Sequence, residues 1–481
     1  MPTYTEPFMF IDGATVTATA APRIDIVNPS DEEIIGSAPV LEAEKASAVV
    51  AAAERGFAAW SRASPWKRSG VLLAIAANLK RSVEEIAQAA TLESGKPLSD
   101  AKAEVLNAAE HFEWFAGECR RSYGYTVTGR LPESRIRIEY SPVGVVLALT
   151  PWNFPISMAA RKLAMALAAG CSVILRPSEL VPASASLLVK CCHEGGLPDG
   201  AVNLVIGMPD TAVAPFMAIP AVRKVSFTGS TPVGKLLMRQ SAETVKRVTM
   251  ELGGHAPVIV MPDADIDAAA TAAAKAKFRN SGQVCVSPSR FFVHDDVADR
   301  FTGRMIEIAR QQTLGDGFDA RVTMGPLITA RHRERAQSLV DDARSKGATI
   351  VAGGGRPSHL NRGYFFEPTV LTNVSETSRI LREEPFSPIA PVQPFRHVDE
   401  AIERANALEF GLSAYVFTNA LTLANDIADR LEVGICGINT FAAGLPELPF
   451  GGVKQSGFGR EGGAEGIWEF LNPKMVHAVL A

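Results

Sequence analysis

Cys285 closes the segment Phe278-Arg279-Asn280-Ser281-Gly282-Gln283-Val284-Cys285, which is too polar and too loop-like for plain core. The other five cysteines sit in apolar or mixed surroundings. A loop can present a thiol to a cleft, so Cys285 is a candidate nucleophile. The opposing reading is a small buried hydrophobe, the commonest role of a free cysteine. An unperturbed thiol, with a pKa of about 8.5, is mostly protonated near neutrality and needs activation. His255 raises a Cys–His hydrolase reading, but no protease-type signature surrounds Cys285.

Glu251 precedes Leu252-Gly253-Gly254. Paired glycines restrain the backbone little, so this carboxylate can swing, as a base needed at one stage must. A capping or ion-paired glutamate is the plainer alternative. Asn153 lies in Thr150-Pro151-Trp152-Asn153-Phe154-Pro155. Its carboxamide can donate to a developing oxyanion without a charge penalty. Standing alone, it reads as a turn-forming asparagine.

Gly229-Ser230-Thr231-Pro232-Val233-Gly234-Lys235 nearly matches the phosphate loop of nucleotide hydrolases, but Leu236 stands where a Mg²⁺-binding hydroxyl is needed. The nucleotidase reading fails there. A Gly-Ser turn between strand and helix can still offer helix amides to a pyrophosphate, or be an ordinary connection. No G-x-G-x-x-G follows a predicted strand. Leu175-Arg176-Pro177-Ser178-Glu179 follows one. Glu179 could accept from ribose hydroxyls and repel a 2′-phosphate, whereas Arg176 could bind that phosphate through its fork. Glu179 could also be simply solvated.

These residues need a scaffold. Residues 43–60, 65–80, 82–92 and 102–121 read as helices, with Ser64-Pro65 as an N-cap and first position. Arg135-Ile136-Arg137-Ile138-Glu139-Tyr140 alternates like a half-exposed strand. From Pro142 strands (143–149, 172–175, 203–206, 224–227) alternate with helices (157–169, 182–193, 233–240). That rhythm predicts a doubly wound parallel sheet. Alternation resumes after Pro257, with helices over 266–278, 296–311, 330–346, 398–407 and 421–431, suggesting a second α/β domain from about residue 254.

At 481 residues the chain should split into two or three domains. Its 47% hydrophobic content is ordinary, and a net charge of −4 gives no reason to expect nucleic acid or anionic membrane. No apolar run reaches the roughly 18 residues of a spanning helix. Residues 1–23 carry Glu6 and Asp12 and lack the features of a targeting peptide. The six cysteines form no C-x-x-C, and Cys191 and Cys192 are adjacent, so a reducing, cytoplasmic setting is expected. The eight scattered histidines form no H-E-x-x-H, and no metal site is expected.

In their order and spacing these motifs resemble the aldehyde dehydrogenase superfamily over nearly the whole chain, and most closely its NAD(P)-dependent succinate-semialdehyde dehydrogenases. The resemblance implies an α/β fold of two doubly wound Rossmann-like domains with a small β oligomerisation arm. Residues 1–121 and 143–253 would bind the dinucleotide, 254–453 would carry the nucleophile, and 122–142 with 454–481 would form the arm. It implies Cys285 as nucleophile, Glu251 (34 positions earlier) as base, and Asn153 with the Cys285 amide as oxyanion hole. Cofactor contacts would be Thr150, Pro151, Trp152, Arg176, Ser178, Glu179, Gly229, Ser230, Leu252, Glu384 and Phe386. The cofactor would be NAD by preference, or NADP, since Arg176 replaces the family's usual lysine. Ser387 stands where Gly is usual in Glu384-Pro385-Phe386-Ser387. Lys162 matches a lysine near the cofactor, though a surface lysine is the simpler reading. Pro449 to Gly457 and Gly459-Arg460-Glu461 match a structural stretch closing the far wall of the site.

The implied reaction is oxidation of an aldehyde to its acid through a cysteine thiohemiacetal and thioester. Arg161 and Arg279 match positions that hold the distal carboxylate of a semialdehyde. The hydroxyl expected in Phe441-Ala442-Ala443-Gly444-Leu445-Pro446-Glu447-Leu448 is missing, and Ser287 excludes a local cysteine-pair switch. Alternatives are an enzyme for neutral or aromatic aldehydes, a CoA-acylating enzyme (disfavoured by Glu251), and a non-catalytic NAD-binding or structural protein on the same fold. A homodimer or homotetramer is expected, with the alternating strand pairing across subunits.

Overall fold

The computed structural model describes residues 3–479; residues 1 and 2 of the expected dinucleotide-binding segment and 480 and 481 of the expected arm lie outside the described residues. The helical layer opens with Ala46–Trp60, Pro65–Arg81 and Val83–Ser94, followed by α1 (Leu98–Glu118). Ser64 caps the second of these, accepting from the Lys67 N–H at 3.2 Å with Pro65 in the first turn. Residues before position 40, to which the sequence reading assigned no element, form four short strands. A hairpin signal was present. Asp12 and Gly13 both adopt positive φ between Met9–Ile11 and Ala14–Val16, as a tight two-residue turn requires.

The first sheet grows from β1 (Val145–Leu149), followed by α2 (Pro155–Ala169), β2 (Ser172–Arg176), α3 (Pro182–Glu194), β3 (Val202–Leu204), β4 (Val222–Thr228), α4 (Thr231–Ala242) and β5 (Arg247–Glu251). Those five strands are parallel in the order β3-β2-β1-β4-β5, with antiparallel strands added at both edges. The chain winds outward from β1 to β3, then returns to place β4 on the other side of β1. This makes the crevice beyond the carboxyl ends of β1 and β4 the topological switch point. Every residue of α2 is buried, and Gly170 ends it at φ +96°. Leu163 and Leu167, fully buried there, each contribute about 2 kcal/mol of burial free energy.

The second sheet contains β6 (Ala256–Val260), reached directly from β5, then α5 (Ile266–Phe278), β7 (Pro288–His294), β8 (Thr369–Thr372), β9 (Ile389–Phe395), β10 (Ser413–Phe417) and β11 (Ile435–Ile438). Its parallel order is β8-β9-β7-β6-β10-β11, with Thr349–Ala352 antiparallel at the edge. The α/β fold with two doubly wound sheets expected from the sequence is therefore present. A third sheet joins Tyr125–Thr128, Ser134–Pro142 and Leu471–Val479. The alternating strand is its centre: residues 135–138 are paired on both sides within the chain, and the rest of the strand is paired with Leu471–Val479 alone. Among the described residues no helix is long and apolar enough to cross a membrane.

Candidate active site

Glu251 ends β5 and Ala256 begins β6, so the carboxyl edge of the first sheet meets the amino edge of the second. Gly254 lies in this seam. A Cβ there would stand 2.9 Å from the Cys285 carbonyl oxygen, so only glycine lets the two backbones approach. Ser456 clamps the same segment, donating to the Gly253 carbonyl at 2.7 Å while its own carbonyl accepts from Leu252 at 2.9 Å.

Cys285 stands on the loop between α5 and β7. The approach to it is strained, with Asn280 at φ 48°, Ser281 at φ 56° and Gly282 at φ 74°. Left-handed non-glycine residues cost on the order of 1–3 kcal/mol each and persist where surroundings over-determine them. Here Ser281 donates to Gly325 O at 2.7 Å, Asn280 to Asn153 O at 3.1 Å, and Ile328 N to Gln283 Oε1 at 2.9 Å. Cys285 keeps some exposure as a residue, yet burial pushes its thiol up to about 12, with the Glu384 and Glu251 charges adding and Arg161 opposing. The resting thiol is therefore protonated.

Asn153 is buried beside this loop. Its Nδ2 donates to Gln283 O at 3.0 Å, which orients the amide and leaves a second N–H for another acceptor. Its carbonyl accepts from Lys96 Nζ at 2.8 Å. Lys96 is paired with Glu104 at 2.5 Å in full burial, and Glu104 Oε1 accepts from the first amides of α2, Ile156 at 2.8 Å and Ser157 at 3.1 Å. Sequence reasoning missed both residues; the Ser94-Gly95-Lys96-Pro97 break before α1 was the available signal.

Glu251 is buried with both carboxyl oxygens unpartnered among the described residues. Burial, then the negative charge of Glu461, holds its carboxyl well above the usual range, against Lys162, Arg161 and Arg460. Lys162 is not the surface residue that its type suggested. It is fully buried on α2, ion-paired with Glu461 and donating to Ser226 Oγ at 3.0 Å. Glu461, expected only as structural, thus sits in the charge cluster that sets the state of Glu251. His255 forms no pair with Cys285, because Ser289 Oγ (2.7 Å) and Ile380 O (3.0 Å) occupy its two nitrogens.

Glu384 accepts from Gly254 N at 3.1 Å, and burial pushes its carboxyl up to about 7. Phe386 meets Trp152 edge to face with the ring centres 5.5 Å apart, joining that loop to the Thr150-Pro151-Trp152 turn. At the switch point, Thr150 and Thr228 have buried hydroxyls without partners. Gly229 and Ser230 lead into α4, whose first turn receives no bond from the Ser230 side chain. Leu252 packs so closely on α4 that a Cβ at Gly234 would meet it at 2.5 Å. Arg176 and Glu179 do not stand apart. They pair at 2.7 Å, and Arg176 also donates to Gly207 O at 2.6 Å. Ser178 is buried and accepts from Leu180 N at 3.3 Å.

The two arginines part company. Arg161 is buried, lies 4.5 Å from the Phe450 ring centre, and has neither ion pair nor hydrogen bond among the described residues. Arg279 is exposed, packs on Phe154 at 5.2 Å, and shares the field of Asp100. The described residues hold no group of three metal-ligating side chains. This arrangement offers a thiol, an oriented amide donor, a carboxyl free of hydrogen bonds and, in Arg161, a buried guanidinium without an ion pair among the described residues.

The aldehyde dehydrogenase family model matches residues 16–476. The chain is 43% identical to the 3-sulfolactaldehyde dehydrogenase of Pseudomonas putida, over 97% of this chain and 96% of that one. It is 40% identical to an Escherichia coli NADP(+) succinate-semialdehyde dehydrogenase, over 96% of each. The crystal structure of a succinate-semialdehyde dehydrogenase from Burkholderia pseudomallei superposes with TM-score 0.96 at 39% identity, covering 99% of this chain and 98% of that one.

Proposed function

The chain belongs to the aldehyde dehydrogenase family, and on that premise we propose that it oxidises an aldehyde bearing a distal anionic group to the acid, with NAD or NADP as cofactor. The observation that carries the substrate reading is Arg161, a buried guanidinium with neither ion pair nor hydrogen bond among the described residues. An uncompensated buried cation is costly, and a substrate carboxylate or sulfonate would supply the missing charge. Names of the relatives point the same way, toward a sulfonated and a carboxylated aldehyde.

The switch point fits a dinucleotide. Thr150 and Thr228 have hydroxyls in need of partners, the first turn of α4 has free amides, and Glu384 lies beyond them in the seam. When bound, the nicotinamide supplies a positive ring and the acceptor for hydride. The Cys285 thiol gives its proton to solvent water, the thiolate being favoured by positive charge, with Arg161 the resident contributor. The thiolate attacks the aldehyde carbon, forming a C–S bond and an alkoxide. The free N–H of Asn153 and the Cys285 amide donate to that oxygen. Departure of hydride leaves a thioester on Cys285. Glu251, neutral where it lies beside Glu461, turns its side chain toward Cys285, gives its proton to solvent water away from that charge, and as the carboxylate takes one from the attacking water. Hydroxide adds to the thioester, and the acid leaves with the thiol restored.

Initial NAD(P)H formation from succinate semialdehyde and from butanal tests this, with wild type, Arg161→Met and Arg279→Ala. A preference for the semialdehyde, lost in Arg161→Met, supports the reading. Equal turnover of both aldehydes, unchanged by either substitution, moves the substrate to neutral or aromatic aldehydes.

A further inference from the structure

Tyr415 stands on β10 between Ala414 and Val416, both apolar and fully buried, and is itself buried. Burying a phenol in such company is costly unless its hydroxyl finds a partner. That partner is the carbonyl of Val286, 129 positions away and one residue beyond Cys285, to which Tyr415 donates at 2.7 Å. The ring has a place made for it. Gly437 lies opposite Tyr415 on β11, and a Cβ there would meet the ring at 2.9 Å. Phe441, which opens the 441–448 loop, packs on the same ring with centres 4.5 Å apart, and Phe417 backs Phe441 at 5.1 Å. Further along that loop, a Cβ at Gly444 would stand 4.0 Å from Arg161 Nη2, so the loop joins the guanidinium to the ring. Val286 also turns its N–H toward the Cys285 sulfur, where it opposes the rise of the thiol.

We propose that Tyr415 is a positioning residue for the nucleophile: its hydroxyl fixes the backbone immediately after Cys285, and Phe441 fixes its ring, so that the sulfur keeps one line of attack on the aldehyde carbon. This rests on the proposed role of Cys285 and names what aims it. Residues 285–287 belong to no helix or strand, and their backbone is steadied by a turn from Ser287 N to Val284 O at 3.0 Å and by the bond from Tyr415. Attack needs the reacting atoms roughly 3–3.5 Å apart with their orbitals aligned, so a small swing of this loop is expensive. Phenylalanine at 415 keeps the ring on Gly437 and Phe441 and frees the carbonyl. A hydroxyl that served packing alone would move stability and leave the first turnover unchanged.

The test mixes wild type, Tyr415→Phe and Phe441→Leu rapidly with NAD(P)⁺ and the better of succinate semialdehyde and butanal, and reads the first NAD(P)H formed. Tyr415→Phe should slow this first turnover by about 10- to 100-fold, the scale of a group misplaced by up to roughly 1 Å, with KM within about twofold of wild type. Phe441→Leu should slow it about three- to tenfold, as the loss of one aromatic contact does. Alkylation of Cys285 by iodoacetamide at about pH 9 asks for no fixed direction and should stay at least as fast as in wild type in both variants. A first turnover within about twofold of wild type in either variant overturns the assignment. So does a parallel fall in alkylation, because the tyrosine would then govern the state of the thiol rather than its aim. Failure of the underlying reading looks different, because Cys285→Ala would then keep its turnover. Thermal unfolding identifies a variant that does not fold; if that is Tyr415→Phe, then Phe441→Leu, which leaves the hydroxyl in place, decides.

Discussion

Lys96 is buried and joins two structures at once: the Glu104 carboxylate at 2.5 Å and the carbonyl of Asn153 at 2.8 Å. Replacing it by Met leaves the buried Glu104 carboxyl without its cation, held only by the amides of Ile156 and Ser157. Removing one partner of a buried pair costs about 3–5 kcal/mol. Glu104→Gln should cost a similar amount by stranding Lys96, yet it keeps an oxygen for the two amides. The double variant strands no charge, so its destabilisation should fall below the sum of the singles by about 2 kcal/mol or more. Activity should divide differently. Both variants lacking Lys96 lose the shorter of the two bonds to the Asn153 backbone carbonyl and leave only Asn280 on it, and a displaced oxyanion donor lowers kcat by about 10²- to 10³-fold. The double variant should therefore regain stability without regaining turnover. Chemical denaturation and steady-state kinetics on the four proteins decide this. Strict additivity in stability, or Lys96→Met turnover within twofold of wild type, would refute the reasoning.

Three further outcomes follow from the geometry. With its thiol pushed up to about 12, Cys285 in the cofactor-free protein should be alkylated by iodoacetamide at a rate rising about tenfold per pH unit from pH 7 to 10, and a plateau below pH 9 would contradict the burial argument. Glu93 is fully buried, accepts from Ala183, Ser184 and Tyr4, and is raised to about 7 by burial. Its folded pKa exceeds the unfolded value, so the stability it contributes is full below about pH 4.5 and is lost as pH rises through about 7. Relative to Glu93→Gln, wild type should lose on the order of 3 kcal/mol across that window, and a pH-independent difference in denaturation midpoints would count against it. Glu179→Ala should free the Arg176 fork for a 2′-phosphate and lower KM for NADP at least several-fold relative to NAD, whereas an unchanged ratio would place that phosphate elsewhere.

Local pattern carried much of the architecture. The helix Ile266–Phe278 was legible to the residue because Asp265 caps it and Phe278 precedes a polar loop. The doubly wound order was legible because buried parallel strands such as Val145–Leu149 leave unbroken apolar runs. Motifs with glycine or proline, such as Thr150 to Pro155 and Glu251 to Gly254, marked the seam before its geometry was seen. What stayed hidden was long-range pairing. Nothing local shows that Lys162 is buried against Glu461, 299 positions away, or that Arg176 and Glu179 neutralise each other. The early hairpins were missed because their strands are only three to five residues long, too short to show a clear alternation, although Asp12-Gly13 was there to be read.

The central claim is that Cys285 carries the acyl group and Glu251 releases it. The most direct measurement mixes the Glu251→Gln variant rapidly with NAD(P)⁺ and succinate semialdehyde, follows NAD(P)H, and quenches for peptide mass spectrometry. The account predicts a burst approaching one NAD(P)H per chain, slow turnover afterwards, and a succinyl adduct on the peptide containing Cys285. A burst-free trace with full steady-state turnover, or an adduct on any other cysteine, would contradict it.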